Sequence, residues 1–279
     1  MNEFILTEKL KPLLLEDLQF GDLTSEAIFQ ASDIGEATIT AKADGILSGS
    51  SIIPTAFSLL DPSINVKLFK NDREKLAEGD KIASIEGSIQ HILTGERVIL
   101  NLLQRMSGIA TLTNQAISFL NSEHTRICDT RKTTPGLRGF EKYAVTCGGG
   151  YNHRNSVNDG VMIKDNHIAF CGSITEAVEK VRKTIGPMVK VEVETETEEQ
   201  VKEAVAAGVD LIMFDNRTAE EIAHLIKLVP SHIITEASGG ITMDTLHTYQ
   251  HSGVDYISLG FLTHSVQGLD MSLNINGGI

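Results

Sequence analysis

The stretch VKVEVETETEEQVKEAVAAGVDLIMFDN, residues 189–216, decides the architecture. Residues 189–194 form a short run in which valine alternates with charge, and LIMF at 211–214 is a second, fully apolar run. Between them, residues 197–208 place Val201, Ala204 and Val205 on one stripe of 3.6-residue period and stop at Gly208. A strand, an amphipathic helix ended by glycine and another strand make a β-α-β unit, and the crossing helix forces its two strands to run parallel.

The same grammar extends in both directions. RICD at 126–129, VMIK at 161–164, IITEA at 233–237 and YISLG at 256–260 are further strand candidates with helical patterns between several of them. Such alternation predicts a parallel sheet, which at this repetition often curls into a barrel. Six clear strands can be counted, which does not by itself establish an orthodox eight-stranded barrel.

In a barrel the loops at the C-terminal ends of the strands converge on one mouth. The groups ending or following the strands are Thr130-Arg131-Lys132, Lys164-Asp165-Asn166, Glu194, Asp215-Asn216, Ser238-Gly239-Gly240 and Gly260. A packed core alone does not ask for charge or glycine at every strand end.

The first hundred residues lack this periodicity. GEATITAKADGILSG (35–49) and GDKIASIEG (79–87) read as short strands with glycine turns, and GERVILNLLQRMSG (95–108) as a helix with Val98, Leu102 and Arg105 on one stripe. This is an α+β domain, with a boundary expected near residues 107–115.

Composition narrows the function. At 279 residues and 41% hydrophobic, the chain can bury one large core or two modest ones. A net charge of -13 leaves no extended basic surface for nucleic acid. Between Arg126 and His167, however, seven basic residues face four acids, a local +3 that leaves -16 for the remainder. That segregation favours an electropositive pocket for a small, multiply charged anion. Cys128, Cys147 and Cys171 are odd in number and share no CxxC spacing, so neither a disulfide framework nor a zinc knuckle is expected. The acidic N-terminus lacks a signal-peptide pattern, and no apolar run reaches the roughly 18 residues of a membrane span. A cytoplasmic protein is the expectation.

GGGYNHRNSVNDGVMIKDNH, residues 148–167, concentrates the candidate chemistry. Its two histidines could ligate a metal, or Arg154, Lys164 and the glycine amides could cradle an anion. His153 and His167 lie at opposite ends of a predicted strand, there is no HxH or HExxH spacing, and a zinc site leaves the arginines unexplained. Lys164 ends an apolar run and needs a partner if buried. Asp165 cannot easily be that partner, because adjacent strand residues face opposite ways.

TRKTTPGLR (130–138), EKYAV (141–145) with GGGYNHR (148–154), MIKDNHI (162–168), VEVET (191–195), MFDN (213–216), EASGGI (236–241) and ISLGFLTHS (257–265) are similar, in order and spacing, to the motifs of the quinolinate phosphoribosyltransferase family. LEDLQFGDLTSE (15–26) and GERVILNLLQRMSGIAT (95–111) extend the resemblance over nearly the whole chain.

The resemblance implies an α/β protein: an N-terminal α+β open sandwich at 1–110, with the tail 270–279 packing on it, then an incomplete, about seven-stranded α/β barrel at 111–269. It also implies a homodimer in which the partner caps each barrel mouth. The implied reaction is magnesium-dependent. Quinolinate and phosphoribosyl pyrophosphate give nicotinate mononucleotide, pyrophosphate and CO2, the entry from quinolinate into NAD.

On the matching positions, Arg131, His153, Arg154 and Lys164, with Arg97 of the partner subunit, contact quinolinate. Lys132, Glu194, Asp215, Ser238, Gly239, Gly240 and Gly260 hold phosphoribosyl pyrophosphate, and Glu194 and Asp215 serve Mg2+, directly or through water. His167 reads as structural. One departure stands out: where relatives commonly carry a bulky residue and then Gly-Leu, this chain has Asn155-Ser156-Val157. A glycine with φ > 0 there would leave Ser156 strained.

Overall fold

The structure is a computed structural model and describes residues 1–276. The elements follow in chain order. α1 (Glu3–Leu18), α2 (Leu23–Ile28), β1 (Ile34–Ala41), β2 (Gly45–Ile46), α3 (Ile52–Leu60), β3 (Asn65–Leu68), β4 (Lys75–Leu76), β5 (Lys81–Ser88) and α4 (Ile89–Leu120) come first. Then come β6 (Arg126–Cys128), α5 (Arg138–Cys147), β7 (Val161–Ile163), α6 (Asp165–Cys171), α7 (Ile174–Arg182), β8 (Val191–Thr195), α8 (Glu198–Ala206), β9 (Leu211–Asp215) and α9 (Ala219–Leu225). The chain closes with β10 (Ile234–Ser238), α10 (Met243–Leu246), β11 (Tyr256–Ser258), α11 (Phe261–His264) and β12 (Met271–Ile275).

Two compact units divide these elements. The first holds residues 1–112, 139–149 and the chain from Val266 onward; the second holds 113–138 and 150–265. The division falls inside α4 rather than at a linker, and α5 belongs mostly to the first unit. Of the expected C-terminal tail, 277–279 lie outside the described residues.

The first unit is built on an antiparallel sheet in the order β12-β1-β5-β3. Ala37 faces Ile85 and Ile275 across the sheet, and Ile39 faces Ala83 and Leu273. In the same unit α3 buries Ile52, Ile53, Ala56 and Phe57 and packs against α1, which buries Leu6, Leu10 and Leu14. The link from α11 into β12 passes close to α4, where a Cβ on Gly108 would stand 2.1 Å from the Gln267 carbonyl oxygen. Only glycine leaves room for that approach.

The second unit is a parallel sheet in the order β6-β11-β10-β9-β8-β7. Its strands have the expected period of two. Val191, Val193, Ile212, Phe214, Ala237 and Ile257 are fully buried on one face, while Glu194, Met213, Asp215, Ser238 and Ser258 line a cavity on the other. Helix starts follow from capping chemistry: Thr197 with Gln200 opens α8, and Thr218 with Glu221 opens α9. In α8, Val201 and Ala204 are buried, and Gly208 follows the helix with φ of 69°.

The sheet does not close, in keeping with an incomplete barrel. The amide of Arg126 and the carbonyl of Cys128 bond toward β11, while the backbone of Ile127 and Asp129 bonds Tyr151 on the other side. Tyr151 is therefore bridged to Cys128 as a one-residue substitute for a seventh strand. The Arg126 guanidinium lies 4.9 Å from the centre of its ring. No helix among the described residues is long and apolar enough to cross a membrane.

Candidate active site

The C-terminal ends of the parallel strands surround a cavity of about 480 Å3 within the second unit. Arg131, Lys132, His153, Arg154, Lys164, Glu194, Asp215, Ser238, Gly239 and Gly240 all line it. Residues far apart in sequence meet here because parallel strands all end on the same side. Two other candidates fall outside the lining. Arg97 is exposed on α4 in the first unit, and Gly260 backs onto the Lys132 stem, where a Cβ would come within 3.1 Å of Cδ.

Hydrogen bonds fix the turns around the cavity. Thr130 Oγ1 accepts the Lys132 amide at 3.0 Å, and Thr263 Oγ1 donates to the Lys132 carbonyl at 2.7 Å. The Ser238 carbonyl takes the Asn216 amide at 2.9 Å, so the turn after β9 is tied to the end of β10. Asn216 and Gly239 both have positive φ, 54° and 84°, and a Cβ on Gly239 would stand 2.3 Å from Asn216 Oδ1. This glycine is needed for conformation and for space together. Ser258 Oγ donates to Ser238 Oγ at 2.9 Å. Asp215 does not cap α9, whose cap is Thr218; its carboxylate accepts from Asn216 Nδ2 at 2.8 Å.

Cations outnumber anions around the cavity: Arg131, Lys132, Arg154 and Lys164 against Glu194 and Asp215. Burial, and next the neighbouring Arg131 charge, pull the Arg154 guanidinium below its ordinary pKa. Like charges held together in a partly desolvated place are relieved by an incoming anion. Lys164 finds its partner in Glu194 on the adjacent strand, which settles the question its position raised.

His153 faces inward. Its amide donates to Asp129 Oδ1 at 2.9 Å, and its Nδ1 accepts the Arg154 amide at 2.7 Å. Nε2 lies 3.1 Å from Glu192 Oε2 and 3.4 Å from Glu236 Oε2. Burial alone would lower the His153 pKa; bonds to the two carboxylates and their charges outweigh it and raise it to about 10. The ring's second proton has to compete with the Arg154 amide for Nδ1, whereas Nε2 keeps its proton in either form. His167 Nδ1 accepts the Lys164 amide at 3.0 Å and closes the first turn of α6.

His153 and Arg154 also line a second cavity, of about 330 Å3, with Asn155, Asp159, Glu192, Glu236 and Tyr256. Asp159 accepts both the amide and the side-chain nitrogen of Asn155, at 2.8 and 3.1 Å, and Ser156 bonds Asn158. Ser156 does not take a positive φ, so the strain expected from replacing glycine is absent.

Sequence reasoning gave no role to Glu192, Glu236 or Arg138. Charged residues on the inward face of otherwise apolar strands were the available signal for the glutamates. Arg138 joins two motifs, donating from Nε to Thr133 Oγ1 at 3.0 Å and from Nη1 to the Asn155 carbonyl at 3.2 Å. Nothing local in the sequence announces that contact.

Comparison with known proteins gives a consistent picture. Residues 22–107 match the quinolinate phosphoribosyl transferase N-terminal domain, and residues 109–274 the C-terminal domain. A Bacillus subtilis (strain 168) protein named probable nicotinate-nucleotide pyrophosphorylase (carboxylating) is 54% identical over 275 residues, covering 99% of this chain and 95% of that one. The crystal structure of NadC from Streptococcus pyogenes is similar with a TM-score of 0.95 at 40% identity, covering 99% of both chains. The nicotinate-nucleotide pyrophosphorylase from Francisella tularensis gives a TM-score of 0.93 at 34% identity, covering 99% of this chain and 98% of that one.

Proposed function

The chain belongs to the quinolinate phosphoribosyltransferase family and acts in NAD biosynthesis as that enzyme; from this premise we propose how its residues divide the work. The observation that carries the proposal is the Arg131–Arg154 pair in a cavity where cations outnumber carboxylates.

Quinolinate carries two adjacent carboxylates on a pyridine ring. Arg131 and Arg154 pair with them, because a guanidinium offers a planar fork to a carboxylate and does not lose its proton. Lys164 adds a third charge, leaving Glu194 as it turns to substrate. Arg97 of the partner subunit completes the set in a homodimer. His153 contributes from behind, through the peptide it shares with Arg154.

Phosphoribosyl pyrophosphate takes the other side. The Ser238-Gly239-Gly240 turn offers backbone amides to a phosphate, with Gly260 allowing Lys132 to lie close, and Lys132 meets the pyrophosphate. Glu194 and Asp215 serve the ribose hydroxyls and would hold Mg2+; their oxygens suit a hard cation, and Glu194 already accepts the Lys164 ammonium from the cavity. Magnesium, when bound, neutralises charge on the departing pyrophosphate.

The protein needs no nucleophile of its own. The bond from the anomeric carbon to pyrophosphate breaks, its electron pair leaving with the phosphate, and the pyridine nitrogen forms the new bond. The ring nitrogen becomes cationic. The adjacent carboxylate then leaves as CO2, and the electron pair left on the ring carbon is held beside that positive charge until it takes up a proton. The residues supply position and charge complementarity, effects that in well-held cases reach on the order of 7 to 11 kcal/mol.

The test is direct. Purified protein with Mg2+, phosphoribosyl pyrophosphate and carboxyl-labelled quinolinate is expected to release labelled CO2 and form nicotinate mononucleotide; absence of both sinks the assignment. Omitting Mg2+ is expected to abolish turnover.

A further inference from the structure

We infer that Glu192 and Glu236 are positioning residues for the anion cradle, holding His153 so that the backbone of Arg154 is fixed. The inference rests on the reading that Arg154 meets the substrate's carboxylate.

Period two places Glu192 below Glu194 on β8 and Glu236 below Ser238 on β10. The upper members line the cavity at the strand ends, and the lower members line the second cavity. Glu192 is 4% exposed and Glu236 2%. Each keeps one oxygen, Oε1, without a hydrogen-bond partner. Two carboxylates buried side by side and incompletely bonded lower stability, and apolar side chains of similar size would remove that cost. Their benefit lies in what they hold.

They hold His153 Nε2, at 3.1 and 3.4 Å. The Nδ1 end of the ring accepts the Arg154 amide at 2.7 Å, so the neutral ring carries its proton on Nε2, which lies at ion-pair distance from both carboxylates. The three groups are also close enough together for a cation. A protonated Nε2 has no lone pair for a metal, so this tautomer excludes that use. The carboxylates instead select the tautomer that leaves Nδ1 free to take the amide.

Arg154 is thereby held at both ends. Its amide is on His153, and its guanidinium donates from Nη1 to the Gly160 carbonyl at 2.8 Å. Without the glutamates the ring can shift its proton to Nδ1, which would then oppose the Arg154 N–H. The guanidinium would lose its fixed approach to the cavity, while the phosphoribosyl side keeps its own fixings, the Asn216 amide on the Ser238 carbonyl and the Lys132 turn held by Thr130 and Thr263.

Steady-state kinetics of Glu192→Leu and Glu236→Leu, with folding checked by circular dichroism, separate positioning from general damage. The expected result is a quinolinate KM raised about tenfold or more, with the KM for phosphoribosyl pyrophosphate changed less than about twofold. Glu192→Gln and Glu236→Gln, which keep an acceptor oxygen, are expected to recover most of the loss. Equal rises in both KM values, or folded leucine variants with an unchanged quinolinate KM, would overturn the inference.

Should the leucine variants fail to fold, the wild type decides the matter. A nitrogen-15 imidazole spectrum, with His153 assigned by loss of its signals in His153→Gln, is expected to show the ring protonated at Nε2. A ring protonated at Nδ1, alone or together with Nε2, would refute the arrangement, because Nδ1 could then not accept the Arg154 amide. If the wild type does not turn over quinolinate at all, the reaction assignment falls, and this spectrum still reports whether the carboxylates set the ring.

Discussion

Among single residues, Arg154 is the most exposed to test, because its charge is crowded by Arg131 and its guanidinium donates to the neutral Gly160 carbonyl. Losing a charge-assisted bond costs about 1.5 to 3 kcal/mol, so Arg154→Gln is expected to raise the quinolinate KM about ten- to a hundredfold. Initial-rate measurements with each substrate varied in turn would check it. Asp61 offers a test of stability away from the site. Bonds from the Ser63 hydroxyl and amide, and then from His91, lower its pKa from 3.8 to about 2. A carboxylate whose folded pKa is depressed stabilises the fold above its unfolded value and loses that contribution as pH falls through the folded value. Asp61→Asn should therefore melt lower than wild type at about pH 6, with the gap closing by about pH 2. A gap that widens on acidification would reverse this account.

At the scale of elements, the strand-end turns are where sequence and structure agree best. Period-two strands and glycine-stopped helices are local signals, so the β-α-β units and the residues following each strand could be read without contacts. The turn pair Asn216 and Gly239 could be named but not explained from sequence, since the 2.3 Å approach joins two loops more than twenty residues apart. Gly239→Ala is expected to cost about 1 to 3 kcal/mol in backbone strain, with a raised KM for phosphoribosyl pyrophosphate and a lowered melting temperature. The 155–159 segment is fixed by contacts that leave no periodic signal. A family pattern suggested strain at Ser156, but the loop is closed by Asp159 bonds to Asn155 and leaves Ser156 in ordinary backbone space.

For the whole molecule, the division into two units was harder to read because it depends on long-range contacts. α5 joins the first unit although it follows β6 in sequence: Glu141 accepts from Arg105 at 2.6 Å, and Tyr143 donates to Asp72 at 2.6 Å. Neither pairing leaves a periodic trace. The boundary within α4 breaks no element, because a 32-residue helix runs through it. β12 lies at the edge of the first unit's sheet and pairs Leu273 with Ile39 and Ile275 with Ala37. Ending the chain at Leu269 would uncover the β1 edge, a ready template for self-association. Such a truncation should melt several degrees lower and aggregate on heating, which light scattering during a thermal ramp would reveal.

The sheet orders also govern how the chain can fold during synthesis. β6, the first strand of its sheet in sequence, finds its strand neighbour in β11, apart from the one-residue bridge of Tyr151, and β1 finds one of its two in β12. Both units therefore wait for the last few dozen residues to be made, although most of each is available earlier. Such distant pairings slow folding and leave strand edges open on the ribosome. An enzyme built from two units thus gains little of the usual advantage of finishing one before the next begins, and its nascent chain carries open strand edges until the C-terminal strands arrive.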